Sequence, residues 1–322
     1  MSTAIGDGEV LAFRDLHTRL GDAVETAVRG KRDVIDLVLV AMFAGGHVLL
    51  EDVPGTGKTT LARAVAGALG GVSRRVQFTP DLLPSDVTGT SVYDPQTGQI
   101  RFRPGPVFAN IVLADEINRA AAKTQSAMLE VMEERTVTVD GVGHAVPDPF
   151  LVVATQNPID LDGTYRLPEA QLDRFMLRTS IGYPSVDDEL DVLRPGSGAG
   201  RISGVRTVSS PREISEFSRR LSLLHVADPI LRYISDLGAA TRSDGRLRLG
   251  ASTRGLRVLV RAVQVYAASR GRHFAVPGDV QDLASPVLAH RLVLTRESVL
   301  SGTTTDEVLS DVLATVPVPK PA

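Results

Sequence analysis

The stretch Asp52-Val53-Pro54-Gly55-Thr56-Gly57-Lys58-Thr59-Thr60 decides how the chain is read. It follows the apolar run His47-Val48-Leu49-Leu50-Glu51 and opens onto Leu61-Ala62-Arg63-Ala64-Val65-Ala66, an order of strand, glycine-rich loop and helix. In that context Gly55 and Gly57 let backbone N–H groups turn inward around an anion at a helix N-terminus. Lys58 can then reach β- and γ-phosphates, and the Thr59 hydroxyl can bind Mg²⁺. Pro54, Thr56 and Thr60 complete the candidate nucleotide-binding set. The first glycine of the pattern G-x-x-x-x-G-K-[ST] is missing, because Asp52 stands there. A Gly-rich turn with an incidental lysine is the alternative, and the flanking strand and helix disfavour it.

Outward from the loop, Asn110-Ile111-Val112-Leu113-Ala114-Asp115-Glu116 is an unbroken apolar run ending in two carboxylates. Such a run suits a central parallel strand covered on both faces, with ligands at its C-terminal end. Beside a phosphate loop, Asp115 could hold Mg²⁺ and Glu116 could polarise an attacking water. Taken alone the pair could equally cap a helix; Lys58-Thr59 in the same chain favours catalysis. A second apolar strand, Phe150 to Thr155, ends in Gln156-Asn157-Pro158, whose amide could contact the γ-phosphate or merely cap a turn. Leu167–Phe175 reads as a short helix carrying Arg174 near its end, and an arginine so placed is, on its own, more often a surface ion-pair partner than a functional group.

Amphipathic spacing predicts helices over 9–27 and over 32–43, the second stopping at Gly45-Gly46. Hairpins are expected at 90–103, around Asp94-Pro95-Gln96-Thr97-Gly98, and at 136–147, where Asp140-Gly141 is a strong two-residue turn signal. Beyond Ile181 the strand signals fade. Ser185 and Asp188 could cap a helix through Leu193, 194–200 reads as a flexible connection, and Ser210-Pro211-Arg212-Glu213 reads as a capping box. Helices are expected at 211–222, 229–242, 252–269 and 279–289, with Arg254 at the start of the third and a disordered tail from Val316.

With 322 residues, two domains are the default. Lys and Arg total 35 against 38 for Asp and Glu, and the net charge of −3 argues against overall capture of nucleic acid or a membrane surface. The chain has no cysteine, which removes disulfides and thiolate chemistry and fits a reducing cytoplasm. The opening MSTAIGDGEV does not read as a secretion signal, and Val34 to Leu50 is too short and too interrupted for a membrane span, so a soluble cytoplasmic protein is expected.

The combination resembles the AAA+ ATPases, and within them the MoxR group. The phrases GGHVLLEDVPGTGKT, QFTPDLLPSDVTGT, FRPGPVFANIVLADEINRA, MLEVMEERTVTVDG, VVATQNP, LPEAQLDRF and GASTRG carry that resemblance across most of residues 45–260. It implies an α/β fold: a P-loop αβα domain with a parallel sheet (1–183), bearing hairpin inserts near 90–103 and 136–147, followed by a mainly helical lid (184–322). It implies ATP and Mg²⁺ as ligands. Lys58 and Thr59 would be the Walker A lysine and metal ligand, Asp115 and Glu116 the Walker B pair, and Asn157 the first sensor. Arg174 would be an arginine finger reaching a neighbouring subunit's site, and Arg254 a second sensor touching phosphate from the lid, although Thr253-Arg254-Gly255 stands where Pro-Arg-Ala is common. The implied function is an oligomeric, hexameric chaperone ATPase that remodels client proteins with a von Willebrand factor A domain partner. A helicase-like nucleic-acid motor and a GTP-binding switch are the competing readings.

Overall fold

The structure, a computed structural model, describes residues 5–52, 55–156, 167–183, 189–190 and 204–320. Pro54, Asn157, the 194–200 connection and most of the helix expected after Ser185 lie outside the described residues. Helices α1 (Asp7–Glu25) and α2 (Arg32–Ala44) lead to β1 (Val48–Glu51), α3 (Lys58–Ala68), β2 (Ser73–Gln77) and the short α4 (Pro84–Thr88). A hairpin of β3 (Gly89–Asp94) and β4 (Gln99–Pro104) precedes β5 (Ile111–Asp115) and α5 (Ala122–Glu134). A second hairpin, β6 (Thr136–Val139) and β7 (Val142–Ala145), precedes β8 (Leu151–Gln156), α6 (Glu169–Leu172) and β9 (Leu177–Thr179). The remainder is mainly helical: α7 (Pro211–Leu221), α8 (Asp228–Ser243), β10 (Leu247–Leu249), α9 (Thr253–Ser269), α10 (Pro277–Leu288), β11 (Val293–Leu294), α11 (Arg296–Leu300) and α12 (Thr305–Thr315).

Five strands form a parallel sheet in the order β2-β5-β8-β1-β9. Alternation along each strand sends side chains to two separate cores. Val48, Leu50, Ile111, Leu113, Leu151 and Val153 join a core with α1, α2 and α3 that runs on into α7 to α10. Leu49, Val112, Ala114, Val152 and Ala154 meet Met128, Leu129 and Met132 of α5 on the other face. Since both faces are apolar, polarity alone does not fix the strand register. Polar side chains lock it at the ends. The buried Asn110 accepts the Val72 N–H at 3.0 Å and donates to the Pro149 carbonyl at 3.0 Å, and the Thr155 hydroxyl donates to Asp115 Oδ1 at 2.6 Å.

Both expected hairpins form. Asp140 and Gly141 have φ of 51° and 79°, the pair of positive values that a two-residue turn demands when it follows the twist of its strands. Phe102 of β4 stacks on His144 of β7, centroids 4.0 Å apart and planes 18° from parallel, so the two hairpins touch. Ser210 caps α7 as expected, accepting from Glu213 N at 3.3 Å, but the Glu213 carboxylate accepts from Ser209 rather than from the cap's own N–H. The β10–β11 pair and helices α11 and α12 were not expected. Their signals are weak: two- and three-residue strands, and a Thr304–Glu307 capping box on an 11-residue helix.

Candidate active site

The loop after β1 ends at Gly57, the residue before α3, and both Gly55 and Gly57 have left-handed backbone, φ 90° and 92°. A side chain at either would strain that turn. Lys58, Thr59 and Thr60 form the first turn of α3, whose free N–H groups and dipole favour an anion. Lys58 Nζ donates to the Asp52 carbonyl at 2.9 Å. A cavity of about 390 Å³ opens here, lined by Asp52, Gly55, Gly57, Lys58, Thr59, Arg75, Gln77, Asp115, Glu116 and Thr155.

The sheet order sets β8 between β1 and β5, so Thr155 stands between the loop and the two acids. Its hydroxyl donates to Asp115 and accepts the Glu116 N–H at 2.8 Å. Glu116 has φ 55°, a conformation uncommon for a residue with a side chain; strand β5 ends there and the chain turns abruptly into Ile117–Arg119. From β2, Arg75 donates two bonds to Asp115 Oδ2, at 2.6 and 3.1 Å, while Gln77 Nε2 donates to Glu116 Oε2 at 2.8 Å. Arg119 pairs with the same Glu116 oxygen at 2.9 Å. The oxygen donors of Thr59 and Asp115, facing one cavity with a lysine and a helix N-terminus, match the hard-ligand chemistry of Mg²⁺ and a polyphosphate. Of the predicted residues, the structure brings together Gly55, Gly57, Lys58, Thr59, Asp115 and Glu116.

It does not bring Arg174 or Arg254 to that cavity. Arg174 Nε binds Glu133 Oε2 at 2.8 Å, and Arg254 Nη2 approaches Glu133 Oε1 at 3.2 Å and its Nε Asp173 at 3.6 Å. The Arg174 bond holds the Glu133 carboxyl below its usual range. Both arginines line a second cavity with Gly45, Gly46 and His47, the residues entering β1, whereas the loop leaves β1 at Asp52. Five residues of extended chain separate these ends by about 16 Å. Arg254 therefore lies at the opposite end of β1 from the phosphate loop of the same chain. Arg291 supports the segment behind them. It is buried and donates to Asp173 Oδ1 at 2.7 Å and to the carbonyls of Asp173, Phe175 and Met176 at 3.0, 2.7 and 3.1 Å.

Sequence reasoning missed Arg75, Gln77, Thr155 and Arg291. Arg75 and Gln77 flank the buried Val76, a period-two polar pair at the end of a strand that could have signalled the cavity. Thr155 was visible as the one hydroxyl in an otherwise apolar strand. Arg291 left no such signal, as the partners that place it at this site, the Asp173 carboxylate and three backbone carbonyls, lie more than a hundred residues away.

Comparison with known proteins follows the same outline. A family model described as "ATPase family associated with various cellular activities (AAA)" matches residues 47–177, and an "AAA lid domain" model matches residues 239–312. The chain is 47% identical over 308 residues to the uncharacterized protein YeaC of Bacillus subtilis, covering 95% of this chain and 96% of that one. It is 38% identical over 327 residues to Chaperone MoxR1 of Mycobacterium tuberculosis, covering 98% and 86% respectively. A crystal structure of a protein from Cytophaga hutchinsonii matches with a TM-score of 0.90 at 35% identity, over 97% of this chain and 98% of that one.

Proposed function

Given that the chain belongs to the MoxR family of AAA+ ATPases and hydrolyses ATP, we propose that it works as one subunit of a ring, hexameric by family resemblance, in which each nucleotide site is completed by a neighbour. The observation that supports this reading is the placement of Arg174 and Arg254 together on Glu133, at the opposite end of β1 from Lys58. In such a ring both arginines would act on the site of the adjacent copy, and Arg254 would be a second sensor in trans rather than at its own loop. The core would end and the lid begin near residue 184.

Within one subunit, Lys58 and the first turn of α3 hold the β- and γ-phosphates, with Pro54 to Thr60 shaping the cradle. Thr59 and Asp115 would hold Mg²⁺, which would neutralise phosphate charge when bound. Glu116 takes a proton from the attacking water, its backbone fixed by Thr155 and its carboxylate released from Gln77 and Arg119 when water arrives. Asn157, outside the described residues, would act as the first sensor.

The work driven by hydrolysis is, in this proposal, remodelling or maturation of a client protein in the cytoplasm, with a von Willebrand factor A domain protein in trans. The resemblance and the name of the 38% identical relative, a chaperone, support it. Among the described residues no helix is long and apolar enough to cross a membrane. The test mixes Arg174→Ala subunits with Lys58→Ala subunits. Turnover above that of either variant alone is expected, since one supplies a sound loop and the other the arginine. No recovery in confirmed mixed assemblies would refute the shared site, and DNA that binds tightly and stimulates turnover would replace the chaperone reading with that of a nucleic-acid motor.

A further inference from the structure

Asp52 occupies a glycine's place in the phosphate-loop pattern, and it is buried. A buried carboxylate is costly unless its oxygens are hydrogen-bonded. Here both oxygens accept backbone amides from a distant part of the chain, Oδ2 from Ile181 N at 2.5 Å and Oδ1 from Gly182 N at 3.0 Å. The ladder between β1 and β9 runs from Val48–Leu177 to Leu50–Thr179 and stops there. The side chain of Asp52 thus stands where the next carbonyls of β1 would have continued the ladder. Its own main-chain carbonyl accepts Lys58 Nζ. One residue holds the lysine of the loop on one side, and on the other the chain that leaves the sheet for the helical region.

The residue before it makes a parallel connection. Glu51 pairs with Arg178 of β9 at 3.3 Å, and the same guanidinium reaches Asp306 of α12 at 3.3 Å. Lys31 Nζ donates to the Tyr183 carbonyl at 2.8 Å, steadying the exit segment from α2. A glycine at residue 52 could supply neither of the side-chain bonds to Ile181 and Gly182.

We infer that Asp52 is a positioning residue that carries the state of the phosphate loop to the exit of β9 and from there to the helical region, an inference that rests on reading the loop as the nucleotide site. When Lys58 turns toward a phosphate, the Asp52 carbonyl loses a charged donor and can shift. The carboxylate on the same residue passes that movement to the Ile181 and Gly182 amides.

Hydrogen–deuterium exchange on the full chain, with and without ADP or a non-hydrolysable ATP analogue, tests this beside steady-state kinetics of the wild type, Asp52→Asn and Asp52→Gly. In the wild type, nucleotide changes exchange in peptides within residues 177–183. Both variants still bind nucleotide but lose that response, and kcat falls about 10- to 100-fold with KM moving less than threefold, the cost of misplacing a reacting group. Asp52→Asn, which keeps one accepting oxygen, falls between the other two. Variants that are less heat-stable yet keep the wild-type kcat and response would overturn the inference. So would wild-type exchange at 177–183 that ignores bound nucleotide, a result that stands even if neither variant folds. A wild type that binds no nucleotide in the same titration removes the reading of the loop itself, an outcome separable from the other two.

Discussion

At the C-terminal end of the sheet, the cavity beside the phosphate loop is lined by three acidic residues, Asp115, Glu116 and Asp52, the last with its carboxylate turned to Ile181 and Gly182, against two cations, Lys58 and Arg75. At the other end of β1 the balance is reversed, with Arg135, Arg174 and Arg254 lining a cavity against Glu133 and Asp173. A polyphosphate entering the first cavity adds negative charge beside Asp115 and Glu116, opposed there by Lys58, Arg75 and the N-terminus of α3. The second cavity holds the compensating charge in the same chain but about 16 Å away along the strand. In the proposed ring the two ends would be complementary between copies, the arginine-lined end of one facing the phosphate loop of the next.

Arg174→Ala breaks the comparison hardest: turnover by the intact assembly is expected to fall about 10³- to 10⁵-fold while nucleotide binding persists. Glu116→Gln acts at the other end, and its turnover should fall about 10²- to 10⁴-fold, with ATP retained on the assembly and measurable by filter binding. Glu133→Gln sharpens the comparison by removing the carboxylate that both arginines share. The pairs are part-exposed, so the change should shift turnover by no more than about fivefold, the range of a surface ion pair worth up to about 1 kcal/mol. A large loss would mean that Glu133 aims the arginines rather than merely parking them.

The smallest effect is on stability and comes from His47, at the entry to β1. Nδ1 accepts the Val152 N–H at 3.0 Å, so Nε2 carries the proton and donates to the Met132 carbonyl at 3.0 Å. Burial pushes its pKa down to about 3, and burial likewise takes His17 down to about 4. Both take up a proton near pH 6.5 in the unfolded chain, so below that pH the unfolded chain binds more protons and stability falls as pH falls. The slope is at most about 1.4 kcal/mol per pH unit for each histidine. The fall stops near pH 4 for His17 and near pH 3 for His47. Buried His290, pushed down in the same way, adds to the decline, which urea midpoints between pH 7 and pH 4.5 should show; His47→Asn, which keeps an acceptor for Val152, should flatten it by about a third.

What could be read from sequence was what is encoded along a single strand or turn. Gly55, Gly57, Lys58 and Thr59 act through their own backbone and the helix they begin, and Asp115-Glu116 ends a strand whose apolar run is its own signature. Asp140-Gly141 dictated its turn for the same reason. The placement of Arg254 was not legible, because it depends on how the packing of α9 against α1, α2 and α10 carries its first turn to Glu133 at the end of α5, and no local pattern records that. Asp52 was legible only as a missing glycine. Its meaning lies in Ile181 and Gly182, whose amides become donors in need of an acceptor only once β9 stops short of them. Helices α11 and α12 escaped because short amphipathic segments near a chain's end compete poorly with turn residues such as Ser301-Gly302-Thr303.

Arg291 is a buried cation clamped by an aspartate and three main-chain carbonyls of residues 173–176, the segment that bears Arg174. Pulling it away from them would strip a buried cation of its carboxylate and three of its carbonyl partners, which ties the end of α10 to the Arg174 segment. In the proposed ring, a rocking of the helical region would carry Arg174 with it through Arg291, so the reach of that arginine would be set by the body of the protein rather than by its own side chain.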